Sequence, residues 1–552
     1  MVDTDMGALA AECWEVTLDH DPSWGHLLGR MEFAGSFERP SLAVEDAHLD
    51  RLRDLHGRVA AVDEASLGHQ DRLTRDFLLS HLDRTLGLTE ARLTDLGVDS
   101  VWGVQTTLGV NAGLFGIPDA QVAAAMVDKV AGIGTYFAEL AERLRLGIAT
   151  GRVAPAFAVA DTLVQLDDLL ATAAADNPAI VGLRAPEGVD ESAWRADLAT
   201  AVADHLLPGL ASYATVLRDE VLPVARPDDR VGLCSIPGGE AAYDASLRCF
   251  TTTTMTAEQI HRLGLDTVAA LAEEYSALGP EVVGSSDPAE IFRLMREDPA
   301  LHYTVAADMV RDSEEAMARA WAAMPEWFET LPQAPCGVSG VTTGPKAYYY
   351  PPATDGSRGG TFFVNVSTPS SWGTFELESM AFHEGIPGHH LQLTIASELG
   401  DDVPEIRKHL PPDAYAEGWG LYTERLADEM GLYSSPLARI GMLSADSIRA
   451  CRLVVDTGIH AFGWSRERAV HFMLDNSPLT EGVVRPEIDR YIQIPGQATS
   501  YMVGRVEIQR IRREAMARLG SGFDIKAFHT AVLAQGGLPL DVLEREVVAA
   551  IG

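Results

Sequence analysis

Apolar residues recur at three-and-four spacing through most of the chain from residue 70 to about 335, a period that puts one apolar stripe on each of a series of helices. The stripes predict helices over Arg72–Leu88, Ala120–Ile148, Ala158–Ala175, Ala257–Leu278 and Ser313–Phe328. Thr256 followed by Gln259 reads as a capping box at the start of one of them. The period fails between 336 and 373, where Gly337, Gly340, Gly344, Pro345, Pro351, Pro352, Gly356, Gly359 and Gly360 force turns and short extended pieces. Within that stretch Thr361-Phe-Phe-Val-Asn-Val366 is rich in β-formers. It predicts a short strand or hairpin at the lip of a cleft, whose edge could pair with an extended peptide but more readily just packs. Helical spacing resumes near Thr374 and breaks at Gly385–Gly388, Pro411-Pro412 and Pro495-Gly496.

The expected fold is mostly α: two helical lobes with a small β element beside the cleft between them. A helical N-terminal region over 1–335 and a metal-site region over 336–552 would together form one continuous two-lobed domain. With 47% hydrophobic and 22% charged residues, the chain of 552 falls among ordinary globular proteins. Its formal charge of -37, from 80 acidic and 43 basic residues, repels phosphate backbones and anionic lipid, so no nucleic-acid or membrane partner is expected. The five cysteines lie far apart with no CxxC pair, which fits a reducing compartment. The N-terminus is acidic where a signal peptide is basic, and no apolar run reaches about 18 residues. A cytoplasmic location is the expectation. Gly340-Val-Thr-Thr-Gly344-Pro-Lys346 has the wrong spacing for a phosphate-binding loop.

Chemistry concentrates at His383-Glu384-Gly-Ile-Pro-Gly-His389-His390, three histidines and a carboxylate in eight residues. Imidazoles and carboxylates suit zinc, and a hydrolytic zinc site takes three protein ligands with one position left for water. The spacing is not that of HExxH, because the residue four after His383 is Pro387. On an unbroken helix His390 would stand about 10 Å further along the axis than His383, too far to share an ion. Pro387 removes an amide from the ladder and the glycines around it tolerate unusual backbone angles, so the helix should bulge or restart there. Looping out two residues brings His389 to the second ligand position, and looping out three brings His390. His389 is taken as the ligand, with His390 left to support the site or touch substrate. Glu384, next to the first ligand, is placed to act as general base. For a third ligand Glu417 is the candidate, in a helix opened by Pro411, Pro412 and Asp413, with Glu424 as the alternative or as a supporting partner.

The His-Glu-x-x-Pro-Gly-His-His-Leu-Gln run at 383–392 and the Glu-Gly-Trp at 417–419 resemble the bacterial family called domain of unknown function 885. Further matching segments are Arg452 to His460, Pro495 through Gln497, Ala498 and Tyr501 to Gly504, and His529 through Gly536 to Pro539. More distantly the chain is similar to helical zinc peptidases such as carboxypeptidase Taq and the oligopeptidases. The resemblance implies a mostly helical metallopeptidase fold, one zinc on His383, His389 and Glu417, and Glu384 as base.

Arg452, Asp456 and His460 share one helix face. Asp456 could align His460 to steady an oxyanion, or simply neutralise Arg452. Tyr501, after the Pro495-Gly496 break, could donate to the same oxyanion or serve as a buried structural tyrosine. Arg505 and Arg512 could grip a peptide carboxylate, though each also suits a solvated helix surface. The function expected is hydrolysis of short peptides. The alternatives are a metal hydrolase of another small amide or ester, and a non-catalytic binding protein whose metal has four protein ligands.

Overall fold

In the computed structural model, residues 5–342, 344–352 and 358–552 are described. Gly356 and the first four residues of the acidic N-terminus lie outside them. The predicted helices form as His69–Glu90, Ala120–Thr150, Ala156–Ala171, Ala257–Val282 and Ala306–Trp327. The capping box at Thr256 and Gln259 is made in both directions. The chain is mostly helical, with 71% helix against 4% strand, so its strands amount to one small sheet. Among the described residues no helix is long and apolar enough to cross a membrane.

The chain divides into two compact units. The first comprises 1–61, 85–243 and 459–467, and the second 62–84, 244–458 and 468–552. A split at 335/336 is therefore not where the units part, and residues 244–335 belong with the metal-site segment. The first unit is organised on Ala120–Thr150, whose start is capped by Asp119 accepting the Gln121 and Val122 amides. It ends at Gly151, whose φ of 73° is the left-handed stop that glycine adopts without strain. Phe137, Leu140, Leu166, Tyr213 and Leu217 fill its core. Gly134 and Gly209 let two helix backbones meet, since a Cβ on Gly209 would stand 2.2 Å from the Gly134 carbonyl oxygen.

In the second unit the sheet has the order β1 (Cys336–Val341), β3 (Gly360–Asn365), β2 (Ala347–Tyr350). β3 runs parallel to β1 and antiparallel to β2. The strand read from Thr361 to Val366 is thus the central one, with both edges paired, and its edge is not available to a peptide. Phe362 and Val364 point from β3 into a core shared with Met309, Trp372, Leu377, Trp419 and Phe528. Two helices of this unit pack closely together, α1 (Asp413–Glu429) and α2 (Ser500–Leu519). They touch at glycines: a Cβ on Gly504 would lie 1.9 Å from the Ala414 carbonyl oxygen and 2.7 Å from the Gly418 Cα.

Gly504→Ala must push these helices apart and is expected to destabilise the protein by about 3 kcal/mol or more. Gly57→Ala, in a helix with nothing within 4 Å of the added Cβ, should be neutral or stabilising by about 0.5 kcal/mol. Denaturation midpoints of the two variants check both, and a Gly504→Ala protein as stable as wild type would refute the close packing.

Candidate metal centre

The centre forms where the helical ladder breaks. Glu376–Met380 runs into a widened π turn over Ala381–Gly385, and Ile386 leaves it extended at φ -116° and ψ 129°. A new helix then starts as His389–Ser397, with Gly388 at its cap. Pro387 cannot continue the ladder. Gly388 is required because a Cβ there would fall 1.8 Å from the His383 carbonyl oxygen. The break brings together two imidazoles six positions apart, with ring centroids 4.8 Å apart at 90°.

Glu417 arrives from α1. Its Oε2 stands 3.5 Å from His383 Nε2 and 3.5 Å from His389 Nε2. Ligand atoms of these three residues all lie within 4.8 Å of one another. Donors about 2 Å from a tetrahedral zinc are separated by about 3.3 Å, so the set fits such an ion. The sequence around Glu417 explains how it is held. Gly418 packs on α2, and Gly420 leaves room for His383, whose Cε1 would be 2.7 Å from a Cβ there. Between them Trp419 donates its indole N–H to the Pro387 carbonyl at 3.0 Å. One helical turn after Gly420, Thr423 donates to the Phe382 carbonyl at 3.1 Å.

Glu424 lies outside this cluster and backs His383. Its Oε1 accepts the His383 Nδ1–H at 2.8 Å and its Oε2 accepts the Ser379 hydroxyl at 2.5 Å. That bond puts the proton on Nδ1 and leaves Nε2 facing Glu417 and His389. Burial alone would depress the His383 pKa, but its hydrogen bonds to Glu417 and Glu424 outweigh burial and lift it to about 9. Burial works the other way on Glu417, yet the two imidazoles hold its carboxyl well below the usual carboxylate range. Each pairing favours the charged form of the group it acts on.

His390 is occupied elsewhere. Its Nε2–H donates to the Ala334 carbonyl at 3.0 Å and its Nδ1 accepts the Tyr349 hydroxyl at 2.8 Å. Burial pushes its pKa down to about 4, so the ring is neutral and both nitrogens are used. Of the two histidines, it is His389 that lies with His383 and Glu417.

Glu384 sits half-buried on the π turn beside His383. The Tyr501 ring lies 6.5 Å from the His383 ring at 23°. Burial first, and the nearby Glu417 second, push its hydroxyl pKa up, which keeps the group a proton donor. Arg452 also packs on Tyr501, its guanidinium 4.5 Å from the ring centroid. Arg452 pairs with Glu487 at 2.8 Å and donates to the Tyr491 hydroxyl at 2.8 Å. Asp456 turns both oxygens to the Gly496 amide, at 3.1 and 3.2 Å, and so secures the Pro495-Gly496 break.

His460 falls in the first unit, where its Nδ1 accepts the Leu233 amide at 3.2 Å and its ring lies 5.1 Å from that of Tyr243. It is not part of the ligand cluster. Arg512 is held by both oxygens of Glu429 and by the Tyr422 hydroxyl, and Arg505 by Asp446. Both guanidiniums are thus engaged within the protein. Ser379 and Gly420 were not legible as parts of the centre, although Gly420 stands in a Gly-Trp-Gly run, a signal that something large crowds the helix.

A family described as bacterial protein of unknown function (DUF885) matches residues 22–547. The chain belongs to this family. No curated protein matches it. Among solved structures it is similar to a candidate lipoprotein from Colwellia psychrerythraea, at 22% identity and a TM-score of 0.91 over 100% of both chains. A candidate lipoprotein of unknown function from Shewanella oneidensis aligns at 19% identity and a TM-score of 0.76 over 98% of each chain. At these identities the likeness is one of fold. Within this DUF885 chain the metal assignment separates the two adjacent histidines sharply. His389→Gln and Glu417→Gln proteins should lose their metal, whereas His390→Gln should keep one ion per chain. Metal content measured by mass spectrometry decides this, and retention by His389→Gln with loss by His390→Gln would reverse the assignment.

Proposed function

We propose that this DUF885 protein is a zinc-dependent peptidase that cleaves short peptides, with a two-lobed, metallopeptidase-like helical fold. The observation that carries the reading is the convergence of His383 Nε2, His389 Nε2 and Glu417 Oε2, with Glu384 adjacent to a ligand and not itself among the three. A fourth protein ligand, as a purely structural zinc would have, is lacking among the described residues, because His390 spends both nitrogens on Ala334 and Tyr349. That weighs against the non-catalytic alternative.

Zinc in such a site polarises a carbonyl and lowers the pKa of water to about 7. The chain supplies the rest. Glu384 takes the proton from the attacking water and returns it to the leaving amine. Tyr501, protonated and beside His383, donates to the oxygen of the tetrahedral adduct. Glu424 keeps His383 in one tautomer and one plane through the cycle. The formal charge of -37 is consistent with small substrates in place of nucleic acid or lipid. A metal hydrolase of another amide or ester would share these groups.

The test is digestion of a peptide pool by the zinc-loaded protein with and without chelator. Cleavage should require the metal, and Glu384→Gln should retain the ion while turnover falls by about 10²–10⁴. A Glu384→Gln protein of full activity would exclude the mechanism.

A further inference from the structure

Away from the metal centre the second unit holds a cavity of about 480 Å³. That is within the range of about 300–1,000 Å³ typical of small-molecule sites. None of His383, His389 and Glu417 lines it. Its wall joins the segment before β1, the helix His389–Ser397, the short helix Glu405–His409 and the approach to β3. Ala334 and Thr394 belong to that wall and also touch His390, which donates to the Ala334 carbonyl and lies 3.4 Å from the Thr394 hydroxyl. An occupant would therefore meet the residues that hold the neighbour of His389.

Both signs of charge line this cavity without meeting. Glu398 accepts the Gln333 amide at 3.0 Å and the Ala334 amide at 3.4 Å, and pairs with no cation among the described residues. Arg358 donates to the Gly359 and Pro351 carbonyls at 3.1 and 2.8 Å, and pairs with no carboxylate among them. Both side chains are exposed, so their charged ends are open to an incoming molecule. A third charge on the wall is buried. The Lys408 side chain is 7% exposed, and its ammonium donates to Glu405 Oε1 at 3.0 Å. An ammonium carries three donors, so further acceptors are needed to complete it, and a buried charge is most stable where they are supplied.

We propose that this cavity is a separate binding site for a free α-amino acid, whose carboxylate is held by Arg358 and Lys408 and whose ammonium is held by Glu398. A guanidinium takes a carboxylate through paired N–H donors, and a carboxylate has lone pairs left for an ammonium after accepting two amides. A dianion would be repelled by Glu398 and Glu405, and a dication by Arg358 and Lys408, so a molecule carrying one charge of each sign is the one the whole wall accepts. Pro335 and Pro352 give the same wall an apolar surface for the side chain. The assignment does not depend on the peptidase reading, because the site shares no residue with the metal centre.

The experiment is equilibrium dialysis of the full-length, zinc-loaded protein against a mixture of the standard L-amino acids, with retention read by mass spectrometry. The amino acid retained most strongly is then compared with its N-acetyl derivative, which lacks the ammonium, and with its α-amide, which lacks the carboxylate. Each derivative should bind about tenfold or more weakly, the contribution of a charge-assisted hydrogen bond. Arg358→Gln should reduce the advantage of the free acid over the amide, and Glu398→Gln the advantage of the free amine over the N-acetyl form. Both residues are exposed, so the two variants should keep the wild-type denaturation midpoint and the wild-type metal content. Retention of no amino acid, or equal binding of the three forms, would overturn the proposal. An advantage left unchanged by either variant would place the binding elsewhere, the metal centre included, and would overturn it as well.

Discussion

A carboxylate with no exposed surface sets the terms for the centre. Glu424 is 0% exposed, and burying such a group costs several kcal/mol unless its oxygens are engaged. Ser379 and His383 engage them, one each. Because that bond fixes the His383 ring, the backbone around the ring has little freedom left. Gly420 must lack a side chain, Thr423 must reach the carbonyl of Phe382, and Trp419 must reach that of Pro387. Helix α1 therefore meets the 382–387 turn almost residue by residue, and the same helix carries Glu417. Its opposite contact, Gly418 on Gly504, brings up α2 and with it Tyr501.

The elements that could be read from the chain were those governed by local rules. The helices of the N-terminal half follow their apolar period, and the capping box follows from two side chains. The break at 385–388 was legible because proline and glycine act through covalent geometry, although it left both His389 and His390 open as the partner of His383. What could not be read depended on contacts between distant segments. Thr361 to Val366 is strand-forming by composition, but that β1 and β2 flank it on both sides is a matter of pairing. Arg452, Asp456 and His460 do share a helix face, yet Arg452 takes its partner from Glu487 and Asp456 from Gly496. The helix they occupy passes from one unit to the other, so His460 ends among residues of the first. Periodicity shows which face a residue lies on, not what stands opposite.

Likeness of fold is the weaker guide to chemistry here. A backbone that aligns at a TM-score of 0.91 with 22% identity has exchanged most of its side chains. What survives such exchange is helix packing, which constrains volume and polarity more than identity. A reaction depends on a few atoms held within fractions of an ångström. The reading of this chain accordingly rests on three ligand atoms and on the groups that hold them.

The two imidazoles of the centre are held by different means, and the difference accounts for the neighbouring histidine. His383 is oriented directly, through Glu424. The Nδ1 of His389 is buried and has no hydrogen-bond partner among the described residues, so no bond at that nitrogen sets its direction. Its backbone, however, adjoins His390, whose ring is tied on one side to Ala334, which precedes β1, and on the other to Tyr349 in β2. Gly360, at the start of β3, lets that ring approach, since a Cβ there would lie 2.5 Å from its Nδ1. The sheet thus anchors the first turn of the helix that begins at His389, and His389 takes its position from that anchor. A helix broken by Gly-Ile-Pro-Gly loses the rigidity that an unbroken turn would give a pair of ligands four residues apart. Here a neutral histidine bonded to the β-sheet supplies the constraint in its place.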